Sequence, residues 1–363
     1  MADTIVGAGL TVEQWDDKFF TEYLTENRYS GEMGTNENSI IQVKENLAKK
    51  PGDRINFALV NKLTGDAVTG RDVLEGNEED MASRSFEVAI TKRRNGVRFA
   101  EIDEQFSAIS LREAAKHTLK EWALKDTEKL IERALASING VALATASEAQ
   151  RDEWLTDNAD RVFFASGYAG SDHSAGWDQL DATADILTAA DLSAMKLQAL
   201  TRANPKVRPI RSEKNGRHLY IVYAHPLAFR DLKNDSLITA AQREVALAME
   251  NERLFKGGDL LWDGMIIKEA HGLYDTSTYT GEGAAGTDTV VPVYLCGAQA
   301  IGAAYAKRWV SRQETFDYGD KHGVAIEAIY GIEKMTFGSG AADRDDLKDH
   351  GIVTGYFASS TVA

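Results

Sequence analysis

Few groups in this chain could do chemistry. Cys296 is the one cysteine among 363 residues, and a thiol is a nucleophile only as its thiolate, which needs a neighbouring base or positive field. It stands in the run Leu295-Cys296-Gly297-Ala298, the composition of a buried small-residue stretch. A single thiol also rules out an intramolecular disulfide and suits a reducing compartment. Seven histidines are scattered with no H-E-x-x-H pattern and no Cys/His pair at zinc spacing, so no metal centre is expected. Gly281, Gly283 and Gly286 spell G-x-G-x-x-G, but a dinucleotide site needs an apolar strand before that loop and a helix N-terminus after it. Thr276 to Thr280 precedes it and the strand-like Val290 to Leu295 follows, so the segment reads as a loop with no cofactor. Asp343, Asp345, Asp346 and Asp349 have the spacing that opens a calcium loop, yet Leu347 falls where a third oxygen ligand is required, and a solvated acidic turn is expected. Lys92, Arg93, Arg94 and Arg98 form the one dense basic patch, either a solvated hairpin face or a partner for acidic residues of another chain. No catalytic constellation emerges from these groups.

The bulk properties narrow the classes further. Lys and Arg number 41 against 56 Asp and Glu, a formal charge of −15, which is the wrong sign for a protein whose main work is gripping phosphates. Hydrophobic residues at 43% and charged residues at 27% allow a core without disulfide or metal staples. The length predicts two domains, or one with long excursions. Met1 to Leu10 has no basic and no apolar signal region, so folding in a cytoplasm is expected. Thr289 to Ala306 is an uncharged run of 18 residues, but Pro292, Gly297, Gln299 and Gly302 interrupt it. It reads as a strand followed by a small-residue helix and not as a membrane span.

The elements that must carry this surface follow from periodicity. Thr11 and Gln14 form a capping-box pair ahead of Trp15, Phe19 and Tyr23, one aromatic stripe that packs on the chain's own core or on a neighbouring subunit. Ile55, Phe57 and Leu59, and again Phe86, Val88 and Ile90, alternate with polar or small residues as two partnered strands. Between them Asn61 to Ser85 is too long for an idle connection and carries Glu75, Glu78, Glu79 and Asp80, the signature of a protruding two-stranded excursion. Asn95-Gly96 between apolar runs predicts a hairpin turn. Ser110 and Glu113 open the longest helical pattern, which runs to Ile138 before Asn139-Gly140 stops it, a rod of roughly 42 Å. Helices around Glu148 to Leu155, after Thr188 and over Ser236 to Phe255 alternate with strands over His218 to Ala224, Gly264 to Ala270 and Val324 to Tyr330. Without a regular βαβ beat, that order predicts an α+β fold.

The same order resembles the major capsid proteins of tailed bacteriophages with the Hong Kong 97-type fold. The resemblance rests on Trp15 to Leu24 (WDDKFFTEYL), Lys50 to Phe57 (KPGDRINF), Phe86 to Arg94 (FEVAITKRR) and Tyr220 to Pro226 (YIVYAHP), which are similar to the family typified by the N-four coliphage group. It covers nearly the whole chain.

That resemblance implies an N-terminal arm over residues 1–50, an extended β-hairpin loop with its base over 51–96, and a peripheral domain with the long spine helix over 97–186. It further implies an axial domain over 187–307, then returning peripheral-domain strands and a C-terminal tail over 308–363. The implied function is a structural shell protein, not an enzyme, that assembles with itself into hexamers and pentamers of an icosahedral head enclosing double-stranded DNA in the host bacterial cytoplasm. No charged helical stretch precedes the arm, so a separate scaffolding protein is implied, with a portal protein and decoration or cement proteins as further partners and no membrane. Lys62 lies in the loop, but no Lys and Asn crosslinking pair can be placed. Trp15, Phe19, Tyr23, Glu75, Glu78, Glu79, Asp80, Lys92, Arg93 and Arg94 are the expected inter-subunit residues. An encapsulin-like nanocompartment shell and a soluble hydrolase or oxidoreductase stand as the alternatives.

Overall fold

The computed structural model describes residues 27–45, 52–60, 83–107, 109–211, 216–245, 259–338 and 347–359, with 67–70, 73, 75 and 78. Strands β1 (Met33–Gly34) and β2 (Ile41–Lys44) precede a hairpin of β3 (Arg54–Val60) and β4 (Ser83–Ala89), and β5 (Thr91–Ala100) follows after Ile90. Helix α1 (Glu101–Phe106) leads into the spine helix α2 (Leu111–Leu135), which is followed by β6 (Ser137–Ile138), β7 (Val141–Ala142), α3 (Glu148–Asp157), β8 (Val162–Phe164) and α4 (His173–Trp177). Next come α5 (Ala189–Leu197), β9 (Ile210–Arg211), β10 (His218–Ala224), α6 (Pro226–Lys233), α7 (Ser236–Val245), β11 (Leu260–Trp262), β12 (Met265–Glu269), α8 (Leu273–Thr276) and β13 (Tyr279–Thr280). The chain closes with β14 (Thr289–Cys296), β15 (Ile301–Phe316), β16 (Lys321–Lys334), β17 (Thr336–Gly338), β18 (Leu347–Asp349) and β19 (Ile352–Ser359).

Two sheets organise these elements. One has the order β1-β2-β15-β16-β5, and the other β11-β12-β10-β14-β19-β8 with β13 and β9 attached to β14 and β10. The expected α+β class holds. The spine helix is capped by the Ser110 hydroxyl, which accepts from the Glu113 N–H at 3.5 Å. It buries Ala115, Leu119, Ala123, Thr127, Ile131 and Leu135, a four-residue spacing that lays one stripe on the first sheet. Against it β16 turns Val324, Ile326, Ala328, Tyr330 and Ile332 inward at every second residue. Trp122 meets Trp309 edge-on at 5.9 Å, and the Tyr330 hydroxyl donates to Asp126 at 3.0 Å, so the seam is fixed by shape and by polar bonds. The second sheet packs α5 and α6 on one side through Leu192, Met195, Phe229 and Leu232. No helix among the described residues is long and apolar enough to cross a membrane.

The paired strands read from Ile55 to Leu59 and Phe86 to Ile90 form as β3 and β4, with Ile55 opposite Val88 and Phe57 opposite Phe86. Four local expectations are corrected. Asn95-Gly96 makes no hairpin: neither residue takes the positive φ that a two-residue turn demands, and they lie inside β5 opposite Ile326 and Ala325. A long partner strand is the stronger determinant there. Asn139-Gly140, with φ of 46° and 82°, is the tight turn of the β6–β7 hairpin, so the spine helix ends at Leu135, at about 37 Å. Residues 301–306 are strand β15 and not a small-residue helix. They pair with both β2 and β16, and a Cβ on Gly302 would meet the Phe57 ring at 3.3 Å and Met335 at 3.2 Å, so the small residues serve close packing. Asp349 is not in a solvated turn; it is buried against Lys334, whose Nζ lies 2.7 Å from its Oδ2. Asp343, Asp345 and Asp346 lie outside the described residues. Strands β5 and β15 run through positions 96/97 and 307/308, and β19 joins the second sheet between β14 and β8.

Candidate functional site

Among the described residues, the thiol, two buried histidines and one carboxylate cluster are engaged structurally. Cys296 is fully buried, and burial pushes its thiol well above the ordinary value. His225 caps α6, its Nδ1 accepting from the Leu227 N–H at 3.2 Å, with Nε2 2.8 Å from the Thr278 hydroxyl; burial lowers it to about 4 and keeps it neutral. His173 lies among Trp154, Phe164, Trp177 and Tyr356 with ring centroids 4.6–6.2 Å away. Glu148, Asp152 and Asp172 bring carboxylates within 4.8 Å of one another. Each has local work: Glu148 pairs with Arg151 at 3.2 Å, Asp152 accepts from the His173 N–H at 2.7 Å, and Asp172 caps α4 through the Ala175 N–H at 2.9 Å. The G-x-G-x-x-G segment is the turn between β13 and β14, with Gly281 and Gly286 at positive φ, and no helix of useful length follows it.

The distinctive surface lies on the uncovered face of the first sheet, toward the β15–β16 turn. Strand alternation sets Arg94, Gly96 and Arg98 of β5 beside Gly323, Ala325 and Glu327 of β16, with Arg312, Glu314 and Phe316 of β15 beyond. Small residues on the middle strand leave a trough of about 450 Å³ walled by arginines. Glu327 closes one end; hydrogen bonds from Lys307, then Lys92 and Arg312, hold its carboxyl down at about 2. Arg98 stacks on Phe316 at 6.0 Å. Arg94 is exposed and makes no ion pair among the described residues. Beside the trough, α1 exposes Ile102 and Phe106, the latter at 80%, with Ile109 following, while Tyr318 at the β15–β16 turn is fully exposed. An apolar edge of this kind marks an interaction surface.

The expected assembly residues are distributed as follows. Glu75 and Glu78 are described and exposed, whereas Glu79, Asp80 and the stripe Trp15, Phe19 and Tyr23 lie outside the described residues. Of the basic run, Lys92 pairs with Glu327 at 2.9 Å and Arg93 with Asp126 at 2.6 Å inside the chain, and Arg94 faces the trough. Sequence reasoning missed Arg312, Phe316 and Tyr318. Their signal was the two-residue alternation of Arg312, Glu314 and Phe316, obscured by reading the preceding Gly-Ala run as a helix.

The arginine-walled trough and the apolar edge beside it make a surface suited to association with another chain. The comparisons agree. The model of the phage capsid protein family matches residues 3–361, and the chain belongs to that family. It is 29% identical to the major capsid protein of Pseudomonas phage KPP25 over 97% of each chain. Among solved structures it resembles the cyanophage Pam1 capsid asymmetric unit, with a TM-score of 0.79 at 29% identity over 100% of both chains. The capsid of Ralstonia phage GP4 gives a TM-score of 0.76 at 21% identity, covering 93% of this chain and 92% of that one. The protein is a phage major capsid protein of mixed α+β, Hong Kong 97-type fold, part of the virion capsid and self-assembling into its shell; the family is structural and not enzymatic.

Proposed function

We propose that this chain forms the hexamers and pentamers of an icosahedral head around double-stranded DNA, and that its relatives include the N-four coliphage group. The observation that carries this reading is the likeness, at a TM-score of 0.79 over 100% of both chains, to the cyanophage Pam1 capsid asymmetric unit. Assembly takes place in the host bacterial cytoplasm on a separate scaffolding protein, with a portal protein at one vertex and decoration or cement proteins outside. In this arrangement residues 1–50 form the arm, with Trp15, Phe19 and Tyr23 laid on a neighbour. The excursion after Val60 brings Glu75, Glu78, Glu79 and Asp80 to a neighbour's trough, where Arg94, Arg98 and Arg312 receive them. Lys92 and Arg93 are spent within their own subunit and support the trough's edge. The acidic run of the excursion and the arginine-walled trough are complementary in charge, which supports a second copy as occupant.

The test replaces Lys62 to Ala82 with a short Gly-Ser turn. The excursion carries little apolar sequence, and loop length changes closure entropy by only about 0.6 kcal/mol per doubling. A soluble subunit with unchanged melting behaviour that forms no closed particles is expected; normal particles from the deletion would overturn the assignment.

A further inference from the structure

One buried carboxylate joins three segments that are far apart in the chain. Glu132, near the end of the spine helix, is 5% exposed, and its Oε1 accepts from the Tyr29 hydroxyl at 3.3 Å and from the Gly272 N–H at 3.1 Å. Gly272 allows this approach because a Cβ there would fall 1.7 Å from Oε2. Tyr29 packs edge-on against Tyr223 of β10 at 5.5 Å. Other charged groups line the joint from every side. Arg28 and Glu32 come from the same segment as Tyr29, Glu128 lies one turn back on the helix, and Lys268 of β12 binds Glu32 at 2.6 Å with Asp259 3.7 Å away. His271 sits 3.3 Å from Glu269 next to the Gly272 turn. The Glu132 charge is offset by the two neutral donors and, more weakly, by the Arg28 guanidinium.

We propose that this joint is a proton-operated clasp at the root of the N-terminal segment. With Glu132 protonated, residues 27–34 are held against the spine helix and the second sheet; with Glu132 ionised, they open more often. A neutral carboxyl still accepts both bonds at Oε1 and no longer repels Glu128. Burial, with Glu128 adding to it, raises the carboxyl from 4.5 to about 7, although the Gly272 N–H, the Tyr29 hydroxyl and the Arg28 charge pull the other way. The closed clasp therefore holds a proton that the open form releases between pH 4.5 and 7. It is tightest below that window, loosens as pH rises through it, and is flat above.

Hydrogen exchange of the full-length unassembled subunit, corrected for the intrinsic pH effect, tests this at the amides of residues 28–34. Opening should rise on the order of 50-fold from pH 5 to pH 7.5, and Glu132→Gln should remove the pH dependence. His271→Asn, which takes away the neighbouring imidazole, should retain it. Carbon-13 titration of the Glu132 carboxyl in the unaltered protein gives a reading that needs no variant, with an expected midpoint near 7. A midpoint at the ordinary carboxylate value, a pH dependence that persists in Glu132→Gln, or one that disappears in His271→Asn would overturn the clasp.

Discussion

Replacing Asp349 with alanine should cost the subunit more than any surface charge change of equal size. Lys334 and Asp349 have side chains 2% exposed each, their charged atoms are 2.7 Å apart, and the Lys334 ammonium lies 5.3 Å over the Trp154 ring. The Asp349 N–H donates to Asn158 Oδ1 at 2.8 Å, and the same Asn158 donates to Leu347 O at 3.2 Å, so the pair ties the end of β16 to β18 and the end of α3. Removing one partner strands a charge that cannot reach water, which costs about 3 to 5 kcal/mol, whereas replacing both with apolar residues of similar volume is often neutral or stabilising. Asp349→Ala and Lys334→Met should each lower the denaturation midpoint strongly. The double variant Lys334→Met with Asp349→Leu should recover most of the loss, leaving a coupling of several kcal/mol in a double-mutant cycle. Urea unfolding followed by tryptophan fluorescence reports on the site through Trp154. Added salt should leave the coupling nearly unchanged, because buried pairs are poorly screened. A single-variant loss below about 1 kcal/mol, the range of exposed pairs, would refute the reasoning.

Other outcomes follow from the trough and the buried imidazoles. Arg94→Glu with Arg98→Glu should leave subunit melting within a few degrees yet raise the concentration needed for assembly; exposed pairs worth up to about 1 kcal/mol each make that roughly tenfold or more, read by light scattering. Burial lowers His173 to about 4 from 6.5, with Arg151 adding to the drop, so its contribution to stability is present above pH 6.5 and is lost as pH falls through 4. Glu132 works in the opposite direction, so the informative quantity is the difference between the parent and His173→Phe in chemical unfolding from pH 7 to 4. The variant should show the shallower acid loss, and parallel curves would remove His173 from the account.

Much of this architecture could be read from periodicity, and the failures have local causes. The spine helix, the β3–β4 pair and strand β10 were legible because each shows one face to a core, and a 3.6- or 2-residue rhythm records that directly. Asn95-Gly96 misled because turn chemistry describes only local preference; β16 offers ten consecutive partners to β5, and that pairing prevails. The Gly-Ala run after Ile301 misled because strands covered on both faces lose their alternation and resemble helix in composition. The trough was half legible. Arg94 and Arg98 alternate on one strand, but which residues face them depends on the β5–β16–β15 register across more than 200 positions. The Lys334–Asp349 pair left no signal, since nothing in an Asp-rich segment distinguishes the one carboxylate that turns inward.

Electron microscopy of the purified full-length protein, alone and with a candidate scaffolding protein, combined with sedimentation velocity, tests the central claim most directly. Closed icosahedral shells with six- and five-fold capsomers, each trough occupied by the excursion of an adjacent subunit, are the predicted result. Monomers alone at every concentration and salt, scaffold included, would contradict it.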